Sequence, residues 1–173
     1  SLKSPQNVVV KAGKTTAKIS WDKADKAKGY EVYAKASDGK YKKVKTLKKG
    51  SSVSFTHKEL KKNKTYTYKV RSISGKNKSS FSSVVSMRTT SSKLKNVKSL
   101  KLSDKTVELS TKGTETLKAE LTPSKNLVSK KVKWTTSDKK VATVSSAGKI
   151  TAVGEGSCNI TATAHNGKKA VCK

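Results

Sequence analysis

The sequence predicts an all-β protein that consists of two tandem β-sandwiches. Apolar side chains recur at every second position in short segments of both halves, which is the period of a strand with one buried face. Turns rich in Gly, Asn and Ser separate these segments at short intervals. Hydrophobic residues make up 32% of the 173 residues, a proportion that suits sheets in which each strand buries only alternate side chains.

The clearest strand pattern follows Trp134. Three strands are predicted at residues 141–146, 150–153 and 157–164, because apolar and polar side chains alternate along each of them. Ala147-Gly148 and the Gly-Glu-Gly segment that begins at Gly154 supply the turns between them. This part of the chain therefore predicts a compact meander of short antiparallel strands.

The same stretch carries a family resemblance. The segments W-T-T-S-D, V-A-T-V and G-K-I-T-A-V-G-E-G occur in this order from Trp134 onward. They resemble the group 2 bacterial immunoglobulin-like domain over Asn96 to Lys173. The resemblance implies an immunoglobulin-like β-sandwich in which Trp134 belongs to the core, in a protein that is secreted or displayed on a bacterial surface.

The first half has its own strand pattern. Alternating segments are predicted at residues 17–21, 29–34, 41–47, 53–56, 65–74 and 84–87. The early Trp21, the G-Y-E-V-Y segment and the pair Leu60 and Tyr66 resemble a fibronectin type III domain over Ser4 to Thr90. The resemblance implies that Trp21 is a core residue. It also implies that Leu60 and Tyr66 form a tyrosine corner, in which the Tyr66 hydroxyl bonds to backbone upstream.

The two halves meet in a polar stretch from Thr89 to Lys93, which we interpret as a short linker. The predicted domains are residues 1–92, a fibronectin type III-like sandwich, and residues 93–173, a group 2 bacterial immunoglobulin-like sandwich. The fold class is therefore all-β, with two tandem immunoglobulin-like β-sandwiches.

The chain is strongly basic and lysine-rich. It has 40 Lys and Arg residues against 11 Asp and Glu residues, a net charge of +29, and its arginines are Arg71 and Arg88. Such a charge attracts polyanions through long-range fields. Sequence-specific nucleic-acid recognition is not expected, because base readout relies on Arg and on stacking aromatics. Two interpretations stay open: weak, unspecific polyanion binding, or a solvating role in which Lys also protects strand edges from pairing.

Catalytic, cofactor and metal sites are not predicted. His57 and His165 lack a nucleophile and an acid at recognisable spacing. Asp22 and Asp25 are the close pair of carboxylates, in a Lys-rich loop where they balance neighbouring cations. No clustered carboxylates indicate calcium binding, and two cysteines without neighbouring histidines do not indicate a metal site.

Cys158 and Cys172 are the two cysteines. An even number in a chain of extracellular type favours a disulfide. If His165, Asn166 and Gly167 form the turn between the last two strands, Cys172 lies opposite Ile160 and Cys158 is its diagonal neighbour. A bridge then needs a bulge or a different turn, so two buried free thiols remain the alternative.

Three tyrosines of the first half, Tyr33, Tyr41 and Tyr68, are expected to point outward from their strands. Outward tyrosines can stack on sugars. The alternative, which we favour, is that they pack across strands against the stems of lysines.

The predicted function is a non-catalytic extracellular binding or spacer region of a secreted or cell-surface bacterial protein, with a role in adhesion or in cell-wall or carbohydrate association. Partners of this function are a cell-wall polymer, a glycan or a surface protein. One alternative is a set of accessory modules of a secreted polysaccharide- or peptidoglycan-degrading enzyme, and another is a polyanion-binding module. We expect a monomer without a membrane span, excised from a longer chain.

Overall fold

The computed structural model describes residues 1–90 and 93–173. It is all-β, as predicted, and among these residues no helix is long and apolar enough to cross a membrane. The chain divides into two compact units, Ser1–Asn96 and Val97–Lys173. The predicted boundary between residues 92 and 93 adjoins Ser91 and Ser92, which lie outside the described residues, and it stays a prediction.

The first unit is a sandwich of two antiparallel sheets. One sheet has the order β1-β2-β5, and the other has the order β4-β3-β6, with β7 and β8 both paired to β6. The strands are β1 (Val9–Ala12), β2 (Ala17–Ser20), β3 (Gly29–Ala36), β4 (Lys42–Leu47), β5 (Ser54–His57), β6 (Thr65–Ser74), β7 (Asn77–Lys78) and β8 (Val85–Arg88).

The core of this unit contains three buried aromatic side chains, Trp21, Tyr30 and Tyr68. Trp21 is 4% exposed, and its ring meets that of the fully buried Tyr30 edge-on at a centroid distance of 5.3 Å. The Tyr30 hydroxyl accepts a hydrogen bond from the backbone N–H of Ala24 (3.0 Å) and donates one to the carbonyl of Gly50 (3.1 Å). The buried hydroxyl and the two backbone groups beside it therefore all have hydrogen-bond partners, as polar groups in an apolar core require.

The tyrosine-corner contact is also present. The Tyr66 hydroxyl accepts a hydrogen bond of 3.0 Å from the backbone N–H of Lys61, five residues upstream. Leu60, just before that N–H, is buried at 6% exposure. This contact ties the start of β6 to the chain that leads into it.

The second unit has three small antiparallel sheets. Their orders are β10-β14-β13, β11-β9 and β12-β15-β16. The strands are β9 (Ser99–Leu102), β10 (Thr114–Thr116), β11 (Ala119–Thr122), β12 (Val132–Thr136), β13 (Ala142–Val144), β14 (Lys149–Ala152), β15 (Ile160–Ala164) and β16 (Lys169–Cys172).

The core of the second unit consists of aliphatic and small side chains in two clusters. One contains Leu100, Leu127 and Ala162, and the other contains Leu117 and Ile150. Two partly buried residues pack against both clusters: Leu102 and Trp134. Trp134 was predicted as a core residue, and it lies where the two clusters meet without being fully buried.

Gly148, in the turn between β13 and β14, permits this position of Trp134. Its φ angle is +83°, and a Cβ there would lie 2.6 Å from the Leu117 carbonyl oxygen and 2.8 Å from the Trp134 ring. Only glycine combines this backbone conformation with so close an approach. The turn therefore brings the indole close to the backbone just before β14.

Candidate functional site

Glu31 is the centre of the main polar cluster of the first unit. Its side chain is 5% exposed, and Arg71 (2.7 Å), Lys43 (3.2 Å) and Lys78 (3.6 Å) surround the carboxylate. Burial acts to raise the pKa of Glu31, but the hydrogen bonds and charges of Arg71 and Lys43 outweigh it and lower the pKa. The carboxylate is therefore ionised and shared by three cations.

Aromatic rings and cations alternate beside this carboxylate, on the outer face of the sheet that contains β3 and β6. The Lys69 ammonium lies 4.0 Å from the ring centroids of both Tyr41 and Phe81. The Arg71 guanidinium lies 4.8 Å from the centroid of Phe81 and 5.3 Å from that of Tyr33. Contacts of this kind attract a cation to the negative face of the ring, so they fix both cations.

Phe81 reaches this face through an unusual attachment of its chain segment to β6. Ser79 and Ser82, on either side of it, accept hydrogen bonds from the backbone N–H groups of Ser72 (2.9 Å) and Val70 (3.0 Å) with their hydroxyls. Their own N–H groups donate to the carbonyls of the same two residues. Serine hydroxyls thus replace the ladder of a regular strand and hold Phe81 over Arg71.

The tyrosines predicted to point outward divide into two groups. Tyr33 and Tyr41 are half-buried on the outer face and contact Arg71, Lys35 and Lys69, which is the packing against cationic side chains that the sequence favoured. The expectation for Tyr68 was wrong, because this residue is fully buried. Burial raises the pKa of the Tyr68 phenol, with a further contribution from Tyr66.

His57 is a structural neighbour of Tyr68. Its Nδ1 lies 3.0 Å from the Tyr68 hydroxyl, and its ring stacks on that of Phe55 at 6.0 Å. Burial lowers the pKa of His57, so the ring is neutral at neutral pH. The contact completes the hydrogen bonding of a buried phenol.

His165, which the sequence placed in a turn, is 4% exposed in the second unit. Its Nε2 accepts a hydrogen bond of 3.3 Å from the backbone N–H of Val97, and the Asn166 side chain donates one of 2.8 Å to the Val97 carbonyl. The turn residues therefore hold the first residue of this unit.

The remaining titratable candidates lie apart from these clusters. Asp22 accepts a hydrogen bond of 2.6 Å from the side chain of Asn7, and Asp25 is exposed. Within residues 1–90 and 93–173, no three His, Cys, Asp or Glu side chains are grouped so that they could hold a metal ion.

The predicted disulfide is a point of correction, because Cys158 and Cys172 are free thiols in the structure. The predicted register holds, since Cys172 lies opposite Ile160. However, β15 begins only at Ile160, so Cys158 precedes the strand. The diagonal Cα separation of about 7–8 Å in an antiparallel pair exceeds the usual range for a disulfide. The Cys158 sulfur instead accepts a long hydrogen bond of 3.7 Å from the Thr136 hydroxyl.

Both thiols line a cavity of about 410 Å³ at one end of the second unit. Its walls combine aliphatic side chains, among them Val107, Leu109 and Ile150, with polar residues such as Thr106 and Ser157. Burial raises the pKa of the Cys172 thiol, and the charge of Asp104 adds to this. The Cys172 thiol is therefore protonated at neutral pH and behaves as a small apolar side chain.

The cationic and aromatic cluster was not predicted as a unit. Glu31 and Arg71 are 40 residues apart in sequence, and the chain contains so many lysines that spacing alone does not identify the partners of a carboxylate. One signal was available. Positions 31, 33 and 35 alternate with the apolar positions of β3, so they share the outer face.

The comparisons with known families agree with this architecture. Residues 3–88 match the family described as fibronectin type III domain, and residues 96–173 match the family described as bacterial Ig-like domain (group 2). No curated protein matches the chain.

Among solved structures, the chain is similar to a myokine, with 22% identity and a TM-score of 0.47 over 51% of this chain and 98% of that one. It is also similar to an Fn3-like protein from Clostridium thermocellum, with 19% identity and a TM-score of 0.45 over 52% of this chain and 95% of that one. A third similar structure is the FN5 domain of Drosophila Lar, with 18% identity and a TM-score of 0.44 over 51% of this chain and 97% of that one.

Both matched families consist of domains that are typically non-catalytic modules, and they commonly occur in extracellular or surface proteins of bacteria. The two matches stand in the predicted order and together span most of the described chain. This chain is a fibronectin type III domain followed by a group 2 bacterial Ig-like domain.

Proposed function

We propose that this chain is a non-catalytic binding region of a secreted or cell-surface bacterial protein, and that it acts as a monomer that associates with the cell wall. The observation that carries the proposal is the tandem of two domain families whose members are typically non-catalytic modules. The net charge of +29 supports the choice of partner, because a basic surface is attracted to anionic polymers such as those of a cell wall.

The contacts of the titratable groups support the non-catalytic part of the proposal. Glu31 is neutralised by three cations, so it is a poor proton donor at neutral pH. His57 contacts a buried phenol, and His165 contacts a backbone amide. Each of these groups therefore has a structural role in its own domain.

The test is co-sedimentation of the full chain with purified bacterial cell walls. We expect the monomeric protein to pellet with untreated walls at low salt and to release no soluble sugar or peptide from them. Failure to pellet at any salt concentration would contradict wall association. Release of wall fragments would favour a catalytic role.

A further inference from the structure

Five cations lie on the outer face of the larger sheet of the fibronectin type III domain, and three of them contact the carboxylate of Glu31. We call this group the cationic face, and it consists of Lys35, Lys43, Lys69, Arg71 and Lys78. Three of them share the charge of Glu31, and the other two lie over aromatic rings. The group therefore keeps a clear positive excess.

The cations are held in place before any ligand arrives. Lys69 lies between the rings of Tyr41 and Phe81, each at 4.0 Å, and Arg71 is fixed by Glu31 and Phe81. Ordering a long side chain in advance reduces the entropy lost on binding. Ordinary surface lysines lack this advantage, because they lose rotamer freedom when they bind.

The cationic face is also open to a ligand. The side chains of Lys43 and Lys78 are 47% and 46% exposed, although each contacts Glu31. Lys69 and Arg71 occupy alternate positions of β6, about 6.8 Å apart along the strand. Neighbouring strands add cations at a spacing of about 4.8 Å. A flat array of this kind suits an extended polymer with regularly spaced negative charges.

We propose that the cationic face binds an acidic polysaccharide whose sugar carboxylates pair with Lys35, Lys69 and the half-exposed Lys43 and Lys78. The proposal rests on the proposed wall association and names the chemical class of the partner. Lysine ammonium groups bind carboxylates as point charges and do not require a fixed bidentate geometry, so a flexible polymer can move over the face.

Two features favour a polysaccharide over a nucleic acid. The faces of Tyr41, Phe81 and Tyr33 carry cations, so they are not free to stack on unpaired bases, as single-strand binding requires. Arginine, the usual residue for base recognition, contributes only Arg71 to the cationic face. The ligand is therefore recognised by its carboxylates and not by planar rings.

The test compares two charge-matched variants of the full chain for binding to polygalacturonate, with neutral pullulan as the uncharged polymer. K35Q/K69Q removes two charges from the cationic face. K11Q/K18Q removes two exposed charges that lie opposite each other on β1 and β2, in the other sheet of the same domain. We expect K35Q/K69Q to weaken binding about tenfold at low salt and K11Q/K18Q to weaken it less than about twofold.

Salt dependence provides a second readout. Each lysine that pairs with the polymer displaces counterions from it, so removing such lysines should lower the slope of log Kd against log salt. K35Q/K69Q should therefore lower the slope, and K11Q/K18Q should leave it nearly unchanged. Equal weakening in both variants, or equal binding to pullulan, would overturn the proposal. Preferential binding of duplex DNA through the same lysines would also overturn it.

Footprinting of the unmodified protein covers the case in which K35Q/K69Q does not fold. Acetylation of lysines with polygalacturonate present should be slowed at Lys35 and Lys69 and not at Lys11 and Lys18. Uniform protection would contradict a localised site. The experiments also distinguish failure of this proposal from failure of the proposed function. If K35Q/K69Q still associates with cell walls as the unmodified chain does, the cationic face is not the binding site, but the proposed function stands. Binding of polygalacturonate through this face without wall association rejects the proposed function alone.

Discussion

All tyrosines and phenylalanines of the chain lie in the fibronectin type III domain, whereas Trp134 is the aromatic residue of the bacterial Ig-like domain. The first domain buries rings whose hydroxyls satisfy neighbouring backbone groups, as Tyr30 does for Ala24 and Gly50. The second domain fills its interior with aliphatic side chains in two clusters and leaves a cavity of about 410 Å³ beside its thiols.

The difference shows two ways to stabilise a small sandwich. A buried tyrosine contributes apolar area and also completes hydrogen bonds that burial would otherwise leave unmade. An aliphatic core depends on close packing, and here it depends on the approach of Gly148 to the single large ring. The first domain should therefore be sensitive to the removal of polar atoms, and the second to changes in shape.

The largest expected effect is that of W21A. Trp21 is 4% exposed in the aromatic core, so truncation should destabilise the first domain by about 3–5 kcal/mol. In W21A, Trp134 fluorescence reports the second domain. Near-ultraviolet circular dichroism contains the tyrosine signal of the first domain together with that of Trp134, so the first-domain transition is obtained after the Trp134 transition is subtracted. In denaturant, the tyrosine signal should move to lower concentration while the Trp134 transition stays unchanged. An equal shift of both transitions would show that the domains unfold together.

A pair of glycine substitutions tests the dependence of the second domain on shape. Gly75 and Gly148 both have positive φ angles, +60° and +83°, but a Cβ at Gly75 meets nothing within 4 Å. G75A should therefore cost only the backbone strain, about 1 kcal/mol. G148A adds the approach to Leu117 and Trp134 and should cost about 3 kcal/mol or more.

The free energy of unfolding of each glycine variant is measured from the denaturant transition of the domain that contains the substitution. Trp134 fluorescence should also change in folded G148A, because the indole must move to admit the new methyl group. Equal destabilisation by G75A and G148A would mean that the backbone angle alone matters at the turn.

Removal of single hydroxyls tests whether the stability of the first domain depends on buried hydrogen bonds. The Tyr30 hydroxyl makes two hydrogen bonds, one of them buried, whereas the Tyr66 hydroxyl receives one from Lys61 at an exposed position. Y30F should therefore cost about 2 kcal/mol and Y66F about 1 kcal/mol of first-domain stability. Equilibrium unfolding followed by the tyrosine signal measures both losses of stability. A larger loss in Y66F than in Y30F would contradict the greater importance of the buried hydrogen bonds.

A pH titration of stability should also distinguish the domains through His57. Because burial lowers the pKa of His57 in the folded state, the unfolded chain binds the proton more readily. The stability contribution of the neutral ring is thus complete above the unfolded pKa of about 6.5. It is lost as the pH falls through the lower folded pKa. H57Q should flatten this part of the first-domain profile, and an unchanged slope would contradict the role of the ring.

The strand pattern was readable from the sequence where each strand has one buried face. The alternation of β15 and the turn after it placed Cys172 opposite Ile160, and the structure has this register. Residues 65–74 were predicted as a strand and form β6 with the same bounds. The prediction for Tyr68 was wrong, although Tyr68 lies on the same face of β6 as the buried Val70 and Ser72. The alternation along the strand therefore indicated its burial.

The cationic face was less accessible to such reasoning. Phe81 lies outside the strands, and the hydroxyls of Ser79 and Ser82 attach its segment to β6. Hydrogen bonds between side chain and backbone leave no periodic signal in the sequence. The partners of Glu31 are also not evident from the sequence, because its pairing with Lys43, Arg71 and Lys78 depends on the register of four strands at once.

The smallest expected effect concerns the two thiols, which line the cavity of the second domain. In unreduced protein, both should react with an alkylating agent, Cys158 first, because it is half-buried while Cys172 is 1% exposed. The raised pKa of Cys172 slows it further, since the thiolate is the reactive form. C158S should change stability by less than about 1 kcal/mol, because its half-buried sulfur lies where an aliphatic cluster borders the cavity, so the substitution leaves little new empty volume. Time-resolved mass spectrometry follows both additions. An intact mass two hydrogens light would instead show that the backbone before β15 moves far enough for a bridge to form.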